Sequence, residues 1–108
     1  MIKVGITGSL ASGKTTASKI LSFKRGPLFI ADKAVGELYR NNSFRSQVSR
    51  TFKIKNNNQI KKSLKKLILN NKKHIKKLES IIHPLVRKKM KNFTLRNRNK
   101  KYLFYEIP

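Results

Sequence analysis

Ile2-Lys3-Val4-Gly5-Ile6-Thr7-Gly8-Ser9-Leu10-Ala11-Ser12-Gly13-Lys14-Thr15-Thr16 opens the chain and decides how its fold is read. Residues 2–7 form a short run rich in β-branched and apolar side chains, the pattern of a buried strand. Residues 8–15 then match G-x-x-x-x-G-K-[ST], the P-loop. Its glycines let the backbone turn tightly, so that successive N–H groups can face phosphate oxygens. From Thr16 to Lys24, Ala17, Ile20, Leu21 and Phe23 recur at roughly helical spacing. Such a helix would offer its positive N-terminal end to the same anion. In this motif Lys14 would reach the β- and γ-phosphates, and the Thr15 hydroxyl would ligate Mg²⁺. A Gly-rich turn with an incidental lysine is the competing reading. The position of the motif between a strand and an amphipathic helix argues against it.

Working outward, Gly26-Pro27 is a helix stop, and residues 28–31 (LFIA) are a second apolar run, hence a second strand. Strand, loop, helix and strand in that order make a βαβ unit and imply a parallel sheet. Asp32 closes the second strand, and Val35, Leu38 and Tyr39 share one face of a following helix. Ser43 is a candidate cap for a further helix carrying Phe44, Val48 and Phe52. Asn56, Asn57 and Asn58 mark a turn. Ile60, Leu64, Leu67 and Ile68 then repeat at helical spacing, with lysines on the other faces. Asn70 and Asn71 interrupt the pattern, and Ile75, Leu78, Ile81 and Ile82 resume it. Pro84 suits the first turn of another helix running through Leu85, Val86, Met90 and Phe93. Residues 97–101 read as a basic loop, and 102–107 (YLFYEI) as a third strand. The expected class is therefore α/β: a P-loop NTPase-type parallel sheet flanked by helices, with a Lys-rich helical subdomain. The expected division is a βαβ core over 1–33, a helical section over about 34–98 and a core strand over 101–108.

The chain has 108 residues, with 27 Lys plus Arg against 4 Asp plus Glu, for a formal net charge of +23. That length suits one small domain or part of a larger one. Without cysteine there is no disulfide framework, thiolate metal site or Cys nucleophile. With His74 and His83 as the only histidines, no His-based zinc site is expected. No apolar run approaches the ~20 residues of a membrane span. The N-terminus lacks the apolar core and cleavage site of a signal peptide, so a cytoplasmic protein with no membrane partner is the reading. The charge invites a nucleic-acid interpretation. However, the cations are 20 Lys and 7 Arg, beside 10 Asn and 11 Ile. Lys, Asn and Ile share AT-rich codons, so biased genome composition accounts for the excess as well. No aromatic platform for stacking bases accompanies it, and no specific nucleic-acid partner is expected.

The scarce acids stand out. Asp32 lies at the C-terminal end of the second strand, the edge where open α/β sheets bind ligands. There it could orient or deprotonate an acceptor hydroxyl, or it could cap the next helix. The residues alone leave both open. Glu106, at the end of the third strand, could act near Mg²⁺ as a Walker B-like acid or be a strand-end carboxylate neutralised by lysines. For His83-Pro84 the residues favour a helix boundary.

With these residues placed, the sequence resembles the dephospho-CoA kinase family in four segments that occur in the family's order. VGITGSLASGKTT resembles the family's first strand and P-loop, and FIADKAVGELY its second strand and the following helix. LESIIHPLVR resembles a helical substrate-domain signature, and YLFYEIP the start of a later strand. The resemblance implies ATP-dependent phosphorylation of the ribose 3′-hydroxyl of dephospho-CoA, the last step of coenzyme A synthesis. It implies that Gly8 and the run Ala11, Ser12, Gly13, Lys14, Thr15 and Thr16 hold the ATP phosphates, with Lys14 also catalytic. Asp32 would be the acceptor-orienting residue or base. Thr7 would line the same site, and His83 would belong to the helical part that grips the pantetheine substrate. Two departures are visible. Where the family often has Gly-Ile-Asp-Arg, this chain has Gln59-Ile60-Lys61-Lys62 after Asn58. In addition, the family's basic lid with its arginine has no counterpart up to Pro108, so the chain is read as an N-terminal fragment that is nearly inactive without the lid. The rival readings are another small-substrate P-loop kinase, of the nucleoside monophosphate type, and a basic nucleic-acid-binding module.

Overall fold

The computed structural model describes residues 1–7 and 14–107. Three strands, β1 (Ile2–Ile6), β2 (Leu28–Ile30) and β3 (Tyr102–Glu106), form one parallel sheet in the order β1-β3-β2. The last strand in sequence is thus the middle strand in space. Ile6 and Ile30 both pair with Glu106, so the three C-terminal ends are flush. Leu103, Phe104, Tyr105 and Glu106 are all buried. Burial on both faces is what a central parallel strand requires, and it explains why β3 does not alternate between apolar and polar.

The chain divides into two compact units. The first comprises residues 1–34 and 86–108 and contains the sheet. Its core is Phe29, Ala31, Ala34, Phe93, Leu103 and Tyr105, with Val86, Met90 and Ile107 packed against it. The Phe93 ring stands 5.5 Å from Phe29 and 5.6 Å from Tyr105, edge-on to the latter at 80°. This places the end of α5 (Lys72–Arg96) across the sheet face that carries Phe29 and Tyr105. The helix α1 (Lys14–Ser22) packs against β2 and β3. Among its described side chains Ser18 and Ser22 are buried, one turn apart, while Ile20 and, just past the helix, Phe23 are 71% and 70% exposed. Of the apolar positions expected from the sequence, Ile20, Leu21 and Phe23 are thus exposed, and the side chain of Ala17 lies outside those described. Small hydroxyl residues let a helix approach a strand closely, and Ser22 satisfies its hydroxyl on the Lys19 carbonyl at 3.4 Å. The helix also ends earlier than Lys24, which adopts a left-handed φ of 57°. At Gly26 a Cβ would overlap the Tyr102 carbonyl oxygen, so a glycine is required there by close approach.

The second unit, residues 35–85, is helical. In α3 (Asn42–Phe52), Phe44, Val48 and Phe52 are buried at i, i+4 and i+8. Its cap is Asn41, not Ser43: the Asn41 side chain accepts from the Phe44 N–H at 3.1 Å. Asn also fits the extended N-cap backbone, and its carbonyl oxygen reaches the third amide of the helix. In α4 (Ile60–Ile68), Ile60 and Leu64 are buried. Asn71 opens α5 by accepting from the His74 N–H, and the His74 ring meets Phe52 edge-on at 5.8 Å. Pro84 begins no new helix, because α5 runs unbroken through it. Proline inside a helix removes one amide donor and costs ~3 kcal/mol. Burial on both sides of it offsets that cost, with Leu78 and Ile81 before it and Phe93 after it.

One hydrogen-bond chain ties α5 to β3. The Thr94 hydroxyl donates to the Met90 carbonyl at 3.0 Å, so the Tyr105 hydroxyl is the donor in its 2.6 Å contact with Thr94 Oγ1. The two ends of this chain are unequal. Thr94→Val strands the Tyr105 hydroxyl and should cost ~1–3 kcal/mol, whereas Tyr105→Phe leaves Thr94 bonded and should cost ~1 kcal/mol or less. Urea unfolding of both variants checks the order, and equal losses would refute this account.

Candidate functional site

Three strand ends meet along one edge of the sheet. With Ile6, Glu106 and Ile30 in register, the outer two stand roughly 10 Å apart, two strand spacings, with Glu106 between them. From this edge Thr7 leaves β1 and is exposed. Gly8, Ala11, Ser12 and Gly13, the phosphate-cradling residues read from the sequence, lie outside the described residues. The described chain resumes at Lys14, Thr15 and Thr16, the first three residues of α1. The helix thus begins at the lysine of the motif, and its first turn, which carries no acidic residue, follows the motif directly. A positive helix end without a local carboxylate suits an anion.

Asp32 sits two residues past Ile30, in the first turn of α2 (Ala31–Leu38), and is exposed. The cap position lies before Ala31, so Asp32 is inside the helix and not its cap. Its charge still complements the helix dipole, but its carboxylate is open to solvent beside the strand ends. Glu106 is only 2% exposed, on the buried middle strand. A carboxylate held there is a hard oxygen donor of the kind Mg²⁺ selects, between the strand that leads to the P-loop and the strand that leads to Asp32. The structure therefore brings Thr7, Lys14, Asp32 and Glu106 to one sheet edge or the element leaving it. His83 is exposed on α5 within the helical unit.

Sequence reasoning did not anticipate two hollows. One, about 520 Å³, lies in the sheet unit between β1, Tyr105 and the apolar side of α5, with Met90, Thr94 and Ile107 among its lining residues. The other lies in the helical unit and gathers cations that the sequence spreads over three elements. Neither leaves a linear motif, because each depends on residues that only the fold brings together.

A parallel sheet with a P-loop sequence leading into its first helix, and an acid just past the end of the other outer strand on the same edge, defines a phosphate-handling α/β scaffold of the P-loop kinase kind. The comparisons narrow the class. The family model for dephospho-CoA kinase matches residues 2–108. The chain belongs to the dephospho-CoA kinase family. It is 36% identical to the dephospho-CoA kinase of Bartonella quintana, over 97% of this chain and 56% of the relative. With the dephospho-CoA kinase of Rickettsia felis it shares 38% identity over all of this chain and 56% of the relative. The crystal structure of TT1252 from Thermus thermophilus superposes with a TM-score of 0.81 at 26% identity, covering 99% of this chain and 56% of that one. The chain thus spans about half the length of the relatives it matches.

The exposed position of Asp32 predicts a small structural role. Asp32→Asn should cost less than ~1 kcal/mol, the value of a charge near a helix N-terminus. Chemical denaturation measures this, and a loss of several kcal/mol would mean that the side chain holds the fold.

Proposed function

We propose that this chain supplies the phosphate-donor half of a dephospho-CoA kinase and takes part in ATP-dependent phosphorylation of the 3′-hydroxyl of dephospho-CoA. The supporting observation is the flush strand edge, from which the P-loop sequence and Asp32 both depart. Membership of the family supplies the substrate class. In this reading the backbone amides of Gly8, Ala11, Ser12 and Gly13 cradle the ATP phosphates, together with Lys14, Thr15 and Thr16. Asp32 holds the acceptor hydroxyl in line with the γ-phosphorus and takes its proton. The acceptor oxygen forms the new P–O bond as the bond to the β-phosphate oxygen breaks, and ADP leaves. Alignment of this kind is worth up to ~7–11 kcal/mol of barrier, and positioning together with electrostatic stabilisation supplies almost all of the catalysis in such transfers. Thr7 lines the same site, and His83 contributes to holding the pantetheine end. The hydroxyl of Thr15 and the carboxylate of Glu106 are the groups that would hold Mg²⁺, which neutralises charge on the phosphates when bound. The same reading has the protein work in the cytoplasm. In the proposed division the core over 1–33 corresponds to the phosphate donor site, the helical section over about 34–98 to the substrate grip together with the stretch around Val86, Met90 and Phe93 that packs on the sheet, and the strand over 101–108 to sheet closure.

Calorimetric titration tests the reading. ATP should bind with Mg²⁺, and Lys14→Ala should weaken it at least about tenfold. Asp32→Asn should leave ATP affinity within about twofold, and in a lidded, full-length chain carrying the same substitution transfer to dephospho-CoA should fall ~10²–10⁴-fold. ATP affinity indifferent to Lys14→Ala, or AMP preferred over dephospho-CoA as acceptor, would overturn it.

A further inference from the structure

The second hollow has a volume of about 670 Å³ and lies wholly within the helical unit. Arg40, Arg45 and Lys61 line it, together with Asn42, Asn56 and Tyr39. All four acidic residues of the chain are described, and none of them lines it. Two helices also begin there. Asn42 is the first residue of the 11-residue α3, and Ile60 and Lys61 are the first two of the nine-residue α4. Neither helix has an acid in its first turn, and the cap residue of α4, Gln59, makes no side-chain capping bond. Two positive helix ends and three cations thus converge on one cleft.

The donors are held in place. Arg45 Nη1 donates to the Tyr39 carbonyl at 2.8 Å, which fixes the guanidinium while leaving its other donors available. Lys61 Nζ stands 5.4 Å from the centroid of the Tyr39 ring. The Asn56 amide donates to Asn42 Oδ1 at 3.5 Å and to Ser46 Oγ at 3.4 Å, tying the 56–58 turn to the start of α3. Burial raises the pKa of the Tyr39 phenol, so that group stays neutral and adds no repulsion for an anion. A neighbouring hollow shares Asn58 and Lys61 with this one and adds Lys62 and Lys65. Positive groups therefore continue outward along α4.

We infer that this cleft is an anion site for a compact polyphosphate group, recognised by the Arg40, Arg45 and Lys61 side chains beside the positive ends of α3 and α4. A polyphosphate fits better than a single carboxylate, because several cations bear on one volume and the positive track continues into the next hollow. It fits better than a nucleic-acid strand, because Tyr39, the aromatic ring of the cleft, already lies under Lys61 and against Phe44 at 5.2 Å, and so offers no stacking face. The site lies apart from the P-loop residues in sequence and is independent of the kinase reading.

The probe is inorganic tripolyphosphate, titrated into the 108-residue chain carrying Lys14→Ala so that capture by the P-loop does not contribute. At about 0.15 M salt, distant surface charges are screened. Nuclear magnetic resonance should show saturable shifts at the Asn42 and Asn56 amides and at Arg45. Lys61→Gln changes an exposed side chain and should weaken binding about tenfold, as should Arg45→Gln where that variant folds. Lys76→Gln, an exposed lysine of the same unit, removes equal charge and should change affinity less than about twofold. Equal weakening by Lys76→Gln would reduce the site to diffuse charge and overturn the inference, as would the absence of saturable binding. Tighter, length-dependent capture of single-stranded RNA would reassign the cleft to nucleic acid and overturn it equally.

Discussion

The structure depends on the insertion of β3 between β1 and β2. Ile2 and Tyr102, a hundred positions apart in sequence, are partners in the sheet, and Phe104 pairs at the same time with Leu28. Neither β1 nor β2 meets the other, so without β3 the described strands make no sheet at all. Closing so long a loop carries an entropic cost that grows only slowly with length, and the intervening helices reduce it by ordering much of the loop. The buried β3 side chains offset what remains, with Leu103 at 0% exposure. The functional edge follows from this one pairing, because the register that seats β3 also sets the ends of β1 and β2 level.

Much of this was legible from residues. The apolar runs became the three strands, the Asn turns fell where helices break, and the glycine-bounded loop between strand and helix gave the phosphate motif its context. What was not legible has specific causes. Hydrophobic spacing assigned Ile20, Leu21 and Phe23 to the inner face of α1. Close packing instead selected Ser18 and Ser22, because size and not polarity limits how near a helix can come to a strand. Pro84 reads as a start because a first turn tolerates the missing amide, yet burial on both sides of it outweighs the lost hydrogen bond. Asp32 reads equally as cap or functional acid, and its place one residue inside α2 removes only the cap reading. The order of the strands is a property of space, and the local sequence does not carry it.

The charge reads differently once placed. A solvated lysine face is the plain interpretation of residues 61–66, and for most of these side chains nothing argues otherwise. Lys61 differs because the fold sets it beside Arg40 and Arg45, which belong to other elements. Biased composition is one account of how many cations there are. Only the fold explains why three of them meet where two helices begin.

Gly26 sets a limit on how far such a chain can drift. Its composition leans toward residues with AT-rich codons, and glycine codons begin with two guanines, so mutation pressure runs against every glycine it retains. At Gly26 a base change in either of the first two codon positions that keeps the reading frame open yields a residue with a Cβ, and that atom would meet the Tyr102 carbonyl oxygen. The codon is therefore held against genomic bias by the close approach of the chain before β2 to the start of β3. In lineages with still more biased genomes, this is a position where the nucleotide composition of the gene and the geometry of its product pull in opposite directions.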